Sequence, residues 1–548
     1  DAGAVRATGV TFETQANDEG QVSGTATATV PTAVMDFFGK DTFVLRTNCM
    51  AELQMANTDV MFVLDTTGSM SGTRITGLRD AVRDFHKTIN EAVKDENTRV
   101  RYGFVPYSMA VNAKELVSSG ALPVEYLVDS APYETRLAYF NTPKYIPTTV
   151  NLGTTIQTYG ELLTSTECNN YGVNKFPNSS GSNPETTGSP PNKVTTRTYA
   201  FHSRTGSGTR RTCNRTVTTT ETTYVTKYGF TNWRYRQASL DSSNFKTGAL
   251  VPVGTNIVTT TQSVIDPSVI TYADSAGYYD MPTLAQLNGG QLRNVGVTNM
   301  TWSGGIEERD TVDSASWNPV PNGAFDLDLD LEPNSDQTRW RPMWEGVTYL
   351  RSNKGHEDST AARSIAYSAC PSPMKLFTEV ELSNDPDDVP AWLETYISGL
   401  VPTGNTYHDI GMIWGGRLSS PRGIFADNVN LDDKPVSRHL IYMTDGQMEP
   451  FISGYNSYGI EAVTNRVAPL NSNTATVTAR HTARFLAACR AGKAQGTTVW
   501  VVAFGTTLTA DMRTCSSDGR AYFSSNSAEL RQRFRFIASQ VANLRLGE

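Results

Sequence analysis

The stretch VMFVLDTTGSMSG, residues 60 to 72, decides how this chain is read. The run from Val60 to Leu64 is apolar, as a buried strand requires, yet it ends on Asp65 and passes straight into Thr66, Thr67, Ser69 and Ser71. Burying a carboxylate is costly unless it is paired or hydrogen-bonded. These oxygens therefore either make an unusually polar turn or gather around something. Downstream, Ile75, Leu78, Val82, Phe85, Ile89 and Val93 recur at spacings of three and four, which predicts a helix with one apolar face. RVRYGFVPYS, residues 99 to 108, reads as the next strand. Continuous apolar strands on either side of a helix predict a parallel β-α-β unit.

The same pattern returns at the far end of the chain. DVPAWLETYISGL (388 to 400) and TYHDIGMIWGGRL (406 to 418) read as helices, and HLIYMTDG (439 to 446) as a strand. TARHTARFLAACRAGKAQG predicts a helix ending at Gly496, and TTVWVVAFG (497 to 505) another strand. A last helix carries the stripe Leu530, Phe534, Ile537, Val541 and Leu544, with Asn526 and Glu529 at capping-box spacing. The expected fold class is α/β, a doubly wound and mostly parallel sheet interrupted by a large insertion. The insertion is rich in Thr, Tyr, Asn and Ser, as in TVTTTETTYVTKYGFTNWRYRQ, which favours β-structure with long loops. Alternating stretches such as SGTATATV and DTFVLRT, around a short helix or turn at VPTAVMDFFGKD, predict a small β-rich module at the N-terminal end. The expected organisation is 1–57 for that module, 58–110 and 366–548 for the two parts of the α/β domain, and 111–365 for the insertion.

Composition narrows the function classes. The 548 residues carry a net charge of −8, which argues against a nucleic-acid or anionic-membrane footprint. The short basic segment SRTGSGTRRTCNR reads as a solvated loop. Charged residues make up only 19%, with Thr, Ser, Asn and Gly in their place, a balance common in secreted β-rich proteins. The six cysteines lack CxxC pairs and histidines at zinc spacing, so disulfides in an oxidising compartment are expected. Cys489 and Cys515 flank one strand and are paired here; Cys168 with Cys213 lie together in the insertion; Cys49 with Cys370 follows by elimination. No apolar run reaches the length of about 18 residues that spans a membrane. The chain begins at Asp1, so an upstream targeting or anchoring segment is expected to be absent from it.

Ligand sites in open α/β sheets form at the carboxyl ends of the strands. Asp65 stands there, with Thr67 and Ser69 at a spacing of two. MTDG puts Asp445 at the same edge, and VPTGNTYHD offers Thr406 just before a helix. Carboxylates and hydroxyls without His or Cys suit a hard divalent cation, Mg²⁺ foremost, with Ca²⁺ and Mn²⁺ as alternatives.

The combination of D-x-T-G-S, a downstream G-x-T loop and a strand-terminal T-D-G resembles the von Willebrand factor A domain and its metal-ion-dependent adhesion site. The resemblance maps Asp65, Thr67, Ser69, Thr406 and Asp445 onto the five motif positions, with Thr67 in place of the commoner Ser. It implies that the hydroxyls contact the metal and that an acidic group of a partner completes its shell. VLDTTGSMSG, PTGNTYHDIGMIWGGRLSSP, MTDGQ, WVVAFG, IASQVANLRL and the leading ATATVPTAVMDFFGKDTFVL look like TadG-like proteins of bacterial tight-adherence (Tad) pilus systems. That likeness covers both ends of the chain well and the insertion poorly. It implies a non-enzymatic, secreted or envelope-exposed adhesion or assembly protein, a minor pilin-like or tip component whose partners are pilus subunits or a surface receptor. The alternative is a scaffold subunit in which the metal is purely structural.

Other features are weaker. FDLDLDLEP sets Asp326, Asp328, Asp330 and Glu332 on alternate positions, one face of a strand, which makes either a second cation site or, as the favoured reading, a solvated edge. His408 and His439 lie near the proposed site in sequence and are assigned no catalytic role. GSMSG superficially resembles a nucleophile elbow, but Met70 occupies the nucleophile's place.

Overall fold

The computed structural model describes residues 8–16, 21–31, 39, 41–52, 57–93, 98–241, 252–253, 256–257, 261–266, 283–284, 296–352, 355–361, 363–383, 385, 387–431 and 435–543. The turn expected around residues 32 to 40 and the stripe residue Leu544 lie largely or wholly outside them. At the start, β1 (Thr8–Ala16), β2 (Gln21–Pro31) and β3 (Thr42–Glu52) make an antiparallel sheet of their own. Its register places Phe12 opposite Ala26, and Phe43 and Leu45 opposite Val30 and Ala28. Phe12, Ala26, Ala28, Val30, Phe43 and Leu45 thus share one face, while Thr25, Thr27 and Thr29 lie on the other together with Val44.

The second unit begins with β4 (Asn57–Asp65), α1 (Thr73–Ala92) and β5 (Val100–Tyr107). A long hairpin follows, built from β6 (Ser130–Thr158) and, after α2 (Ser165–Gly172) and β7 (Val194–Thr205), from β8 (Thr212–Asp241). The chain then returns through β9 (Lys375–Glu379), α3 (Ala391–Ser398), α4 (His408–Leu418) and β10 (Val436–Thr444). It closes with α5 (Thr474–Ala494), β11 (Thr498–Phe504), α6 (Ala510–Cys515), β12 (Ala521–Ser524) and α7 (Ser527–Asn543).

Six strands form the main sheet in the order β9-β5-β4-β10-β11-β12. The last five run parallel, and β9 is antiparallel at the edge. Every residue of β4 is buried, because β4 is central and covered on both faces. Val60, Phe62 and Leu64 pack with the α1 stripe of Ile75, Leu78, Val82, Phe85 and Ile89 and with Leu530, Phe534, Ile537 and Val541 of α7. Met61 and Val63 face the other way, toward Ile410, Met412 and Ile413 of α4 and Phe485 of α5. Sequence order in the sheet reverses between β4 and β10, and at such a switch point the loops leaving neighbouring strands diverge and open a crevice.

Helix α4 owes its close approach to glycines. A side chain on Gly415 would meet Val63 at 2.4 Å, and one on Gly411 would meet the Tyr107 ring at 2.5 Å. Behind α4 lies a buried ionic layer. His481 of α5 bonds Asp409 through Nδ1 at 2.8 Å and Glu461 through Nε2 at 2.7 Å, and Arg484 reaches both Asp409 and Asp326. Burial alone would lower the His481 pKa, but the two carboxylates outweigh it and hold the imidazolium at about 9.

The stretch expected to form one β-rich insertion divides in two. Its first part is a projecting blade in which β6 pairs with β8 from Ser130↔Asp241 to Thr158↔Asn214. Cross-strand threonine pairs, Thr149 with Thr222 and Thr154 with Thr218, both at 2.9 Å, account for the Thr-rich composition. The Cys168–Cys213 disulfide ties α2 to the start of β8. The second part, from Trp302 to Trp344, is no separate module. Trp302, Ile306, Trp340 and Trp344 belong to the same core as Met61, Val63 and Trp414. Large apolar side chains there require a partner surface, and the sheet's α4 face supplies it. Cys489 and Cys515 are also bridged, clamping α5 to α6. The pairing of Cys49 with Cys370 is not formed: Cys370 stands as a free thiol whose pKa burial pushes up to about 12, and the side chain of Cys49 lies outside the described residues.

Candidate functional site

The loop after β4 is held by backbone bonds before any side chain acts. Thr66 donates to the Tyr107 carbonyl at 3.0 Å, and its own carbonyl accepts from Thr403 at 2.7 Å. Gly68 N–H donates to the Gly404 carbonyl at 2.9 Å. These bonds dock the loop that carries Thr406 against the loop that carries Thr67 and Ser69. Gly404 has φ of +74°, and a side chain there would meet Ala369 at 2.9 Å, so this docking needs glycine.

Asp65 is fully buried at the end of β4. Its Oδ1 accepts the Thr67 backbone N–H at 2.9 Å, and its Oδ2 accepts the Thr444 hydroxyl at 2.7 Å. Thr444 spends its one proton there, so His408 Nε2, 3.2 Å away, donates to it. Burial keeps His408 neutral, its pKa lowered to about 4. From the neighbouring strand Asp445 accepts the Ser69 hydroxyl at 2.7 Å. Ser69 has no further proton, so the Thr67 hydroxyl, 2.9 Å away, donates to Ser69. A single relay thus runs from Thr67 through Ser69 to Asp445 between residues 376 apart in sequence. Thr406 is buried beside it. Its carbonyl accepts from Glu449 at 3.0 Å, and its hydroxyl lies against Gly446, where a Cβ would meet it at 3.5 Å. Ser69 is exposed, and the cluster opens to solvent on that side.

Two carboxylates at one sheet edge repel. The Asp65 pKa is raised to about 6 by burial first and by the Asp445 charge second, against the lowering effect of its Thr67 and Thr444 bonds. The second Asp445 oxygen is met by Arg74 at 2.6 Å, in the first turn of α1. A cation at a helix N-terminus opposes the helix dipole. That misplacement in the sequence, together with Thr444 in MTDG, was the available signal for these two further residues. The donor set fits a hard divalent ion: two carboxylates and three hydroxyls, all oxygen. Asp65, Thr67, Ser69, Thr406 and Asp445 would hold it, and it would supply a fixed positive centre at the solvent-facing mouth. Among the described residues no group of three or more His, Cys, Asp or Glu gathers to hold a metal, so such a site depends on hydroxyls.

The alternate carboxylates of FDLDLDLEP do not share a face. Phe325–Leu327 is a 3-10 turn, and each acid turns to its own partner. Asp326 is buried against Arg484 and accepts from Tyr458 at 3.0 Å. Asp328 caps the Asp330 N–H at 3.1 Å, Asp330 takes Arg422 at 3.0 Å and Gln495 at 2.7 Å, and Glu332 takes Tyr126 at 2.6 Å. Their charges are spent on structure, with none left converging on a common point. His439 lies 2.9 Å from Ser437, but Trp500 donates to its Nδ1. The proton is then on Nε2, so this imidazole donates to the serine and is no base toward it.

No protein-family model matches the chain, and no curated protein matches it. Among solved structures, the pilus adhesin SpaC from Lactobacillus rhamnosus GG overlaps 97% of this chain and 34% of its own, at 9% identity and a TM-score of 0.29. The PilB minor pilin from Streptococcus sanguinis overlaps 18% of this chain and 31% of its own, at 15% identity and a TM-score of 0.12. The chain spans about a third of the length of each of these two proteins.

Proposed function

We propose that the chain is a non-enzymatic adhesion or assembly protein whose von Willebrand A-type domain binds a divalent cation, Mg²⁺ first, at Asp65, Thr67, Ser69, Thr406 and Asp445. The cation grips an acidic group of a partner at the mouth beside Ser69. The carrying observation is the Thr67–Ser69–Asp445 relay beside buried Asp65, at the point where strand order reverses. Taken with the TadG resemblance of both chain ends, the reading places the protein at the bacterial surface, as a minor pilin-like or tip component of a Tad pilus, with pilus subunits or a receptor carboxylate as partner. One observation favours a second reading, in which the ion only braces the loop: Arg74 already neutralises Asp445.

Binding of the folded chain to a surface coated with a glutamate-rich peptide separates the two. The adhesive reading expects binding in Mg²⁺ that is lost in EDTA and in Asp65→Ala. Binding unchanged by EDTA would sink it. A melting temperature that rises with Mg²⁺, without any peptide binding, would leave the bracing role standing.

A further inference from the structure

A polar cleft at the base of the blade is lined by none of the residues above. It has a volume of about 530 Å³ and opens between β6, β8, the layer around Asp310 and Arg341, and the loop around Arg466. Four arginines, Arg236, Arg341, Arg351 and Arg466, line it with two acidic residues, Glu134 and Asp310. In a chain of net charge −8 this is a local excess of positive charge.

The pairs are unevenly compensated. Arg341 is held by Asp310 at 2.6 Å and Arg466 by Glu307 at 2.7 Å. Arg351 meets Glu134 at 2.8 Å, both side chains nearly buried. Arg236 is exposed and makes no hydrogen bond or ion pair among the described residues. It sits close enough to Arg351 that the like charges oppose each other and, after burial, help lower the Arg351 pKa. The Nε groups of Arg351 and Arg466 are buried with no protein partner. Burial raises the Glu134 pKa to about 7, which weakens its hold on Arg351 near neutral pH. Like-charged, forked donors facing one polar cleft are the arrangement that recognises an oxyanion. The cleft's lining is more polar than apolar, which suits a polar ligand better than a hydrophobic one.

We propose that this cleft binds an oxyanion, a carboxylate, sulfate or phosphate group carried on a polar ligand, between Arg236 and Arg351. The test is calorimetric titration of the whole chain with inorganic phosphate, sulfate and acetate, each at constant ionic strength held with chloride. Saturable binding of at least one, weakened about tenfold or more in Arg236→Ala, is expected, on the scale of a charge-assisted hydrogen bond. Among the described residues Arg236 has no partner to lose, so that variant is expected to keep the parent melting temperature in chloride. Binding of acetate alone assigns a carboxylate ligand, and binding of phosphate and sulfate alone assigns a dianionic one. No saturable binding beyond the chloride control overturns the proposal, as does Arg236→Ala binding as tightly as the parent. Asp65→Ala should leave these titrations unchanged, which keeps this site's outcome separate from that of the cation site.

Discussion

Asp65 is the residue on which the electrostatics of the sheet edge turn. Buried beside Asp445, it carries a charge that its surroundings oppose. Removing that charge while keeping the shape, as in Asp65→Asn, should raise the melting stability of EDTA-treated protein by roughly 1–3 kcal/mol, given about 1.4 kcal/mol per pKa unit. The same variant should abolish any stabilisation by Mg²⁺. A lower melting temperature in EDTA would show that the carboxylate is already compensated. Arg74 is the opposing case. It is 40% exposed on its side chain and pairs with Asp445, so Arg74→Ala should cost little stability. It should tighten Mg²⁺ binding by about fivefold, since the ion no longer shares its carboxylate with a guanidinium. Weaker Mg²⁺ binding in that variant would make Arg74 a support of the site. Asp65, Thr67, Ser69 and Asp445 were legible in the sequence because strand ends and spacing of two are local facts. Arg74 and Thr444 left only a faint local signal, because their roles depend on which loop a distant strand brings alongside.

At the scale of elements, α4 and α5 carry two opposed lessons. The stripe of α1 and the capping residues of α7 could be read directly: Asn526 accepts from Glu529 at 3.0 Å, and Glu529 accepts from Ser525 at 2.8 Å. The helix at TYHDIGMIWGGRL could be read as well, but not the use of its glycines, because glycine weakens an exposed helix and its value here lies in Val63 and Tyr107 pressing on it. Gly415→Ala should therefore destabilise by about 1–3 kcal/mol, where an exposed helical glycine would gain from the change. A denaturant melt that shows a gain would contradict this packing. His481 predicts a pH dependence. Its pKa in the folded chain, about 9, lies above its ordinary 6.5, so its stabilisation is fully present below pH 6.5 and is lost as pH rises through 9. The loss is about 3 kcal/mol. Melts of the parent and His481→Gln should converge over that window. Curves that stay parallel from pH 6 to 9.5 would show that the Asp409–His481–Glu461 bridge does not carry this charge.

For the whole molecule, the sequence separates the two ends of the α/β unit and hides how the middle is divided. Thr-rich runs announce the blade, because cross-strand hydroxyl pairs are a local β signal. The tryptophan-rich layer from Trp302 to Trp344 has no regular period, and only the sheet face it covers makes sense of it. The two disulfides follow the same division. Cys489→Ser with Cys515→Ser should cost about 3 kcal/mol, from the loop-closure entropy of a 26-residue separation, and lower the stability of the sheet unit. Loss of Cys168–Cys213 should loosen the blade end and leave cation affinity at the sheet edge unchanged. Equal loss of cation affinity in both variants would show that blade and sheet are one cooperative unit. The central claim is that residues from two strand ends and one docked loop form a single cation site. Its most direct measurement is calorimetric titration of Mg²⁺ into the EDTA-treated whole chain, with Asp65→Ala in parallel. One saturable site per chain, absent in a variant that keeps the parent circular dichroism, is the predicted result. No binding to the parent, or equal binding to the variant, would contradict it.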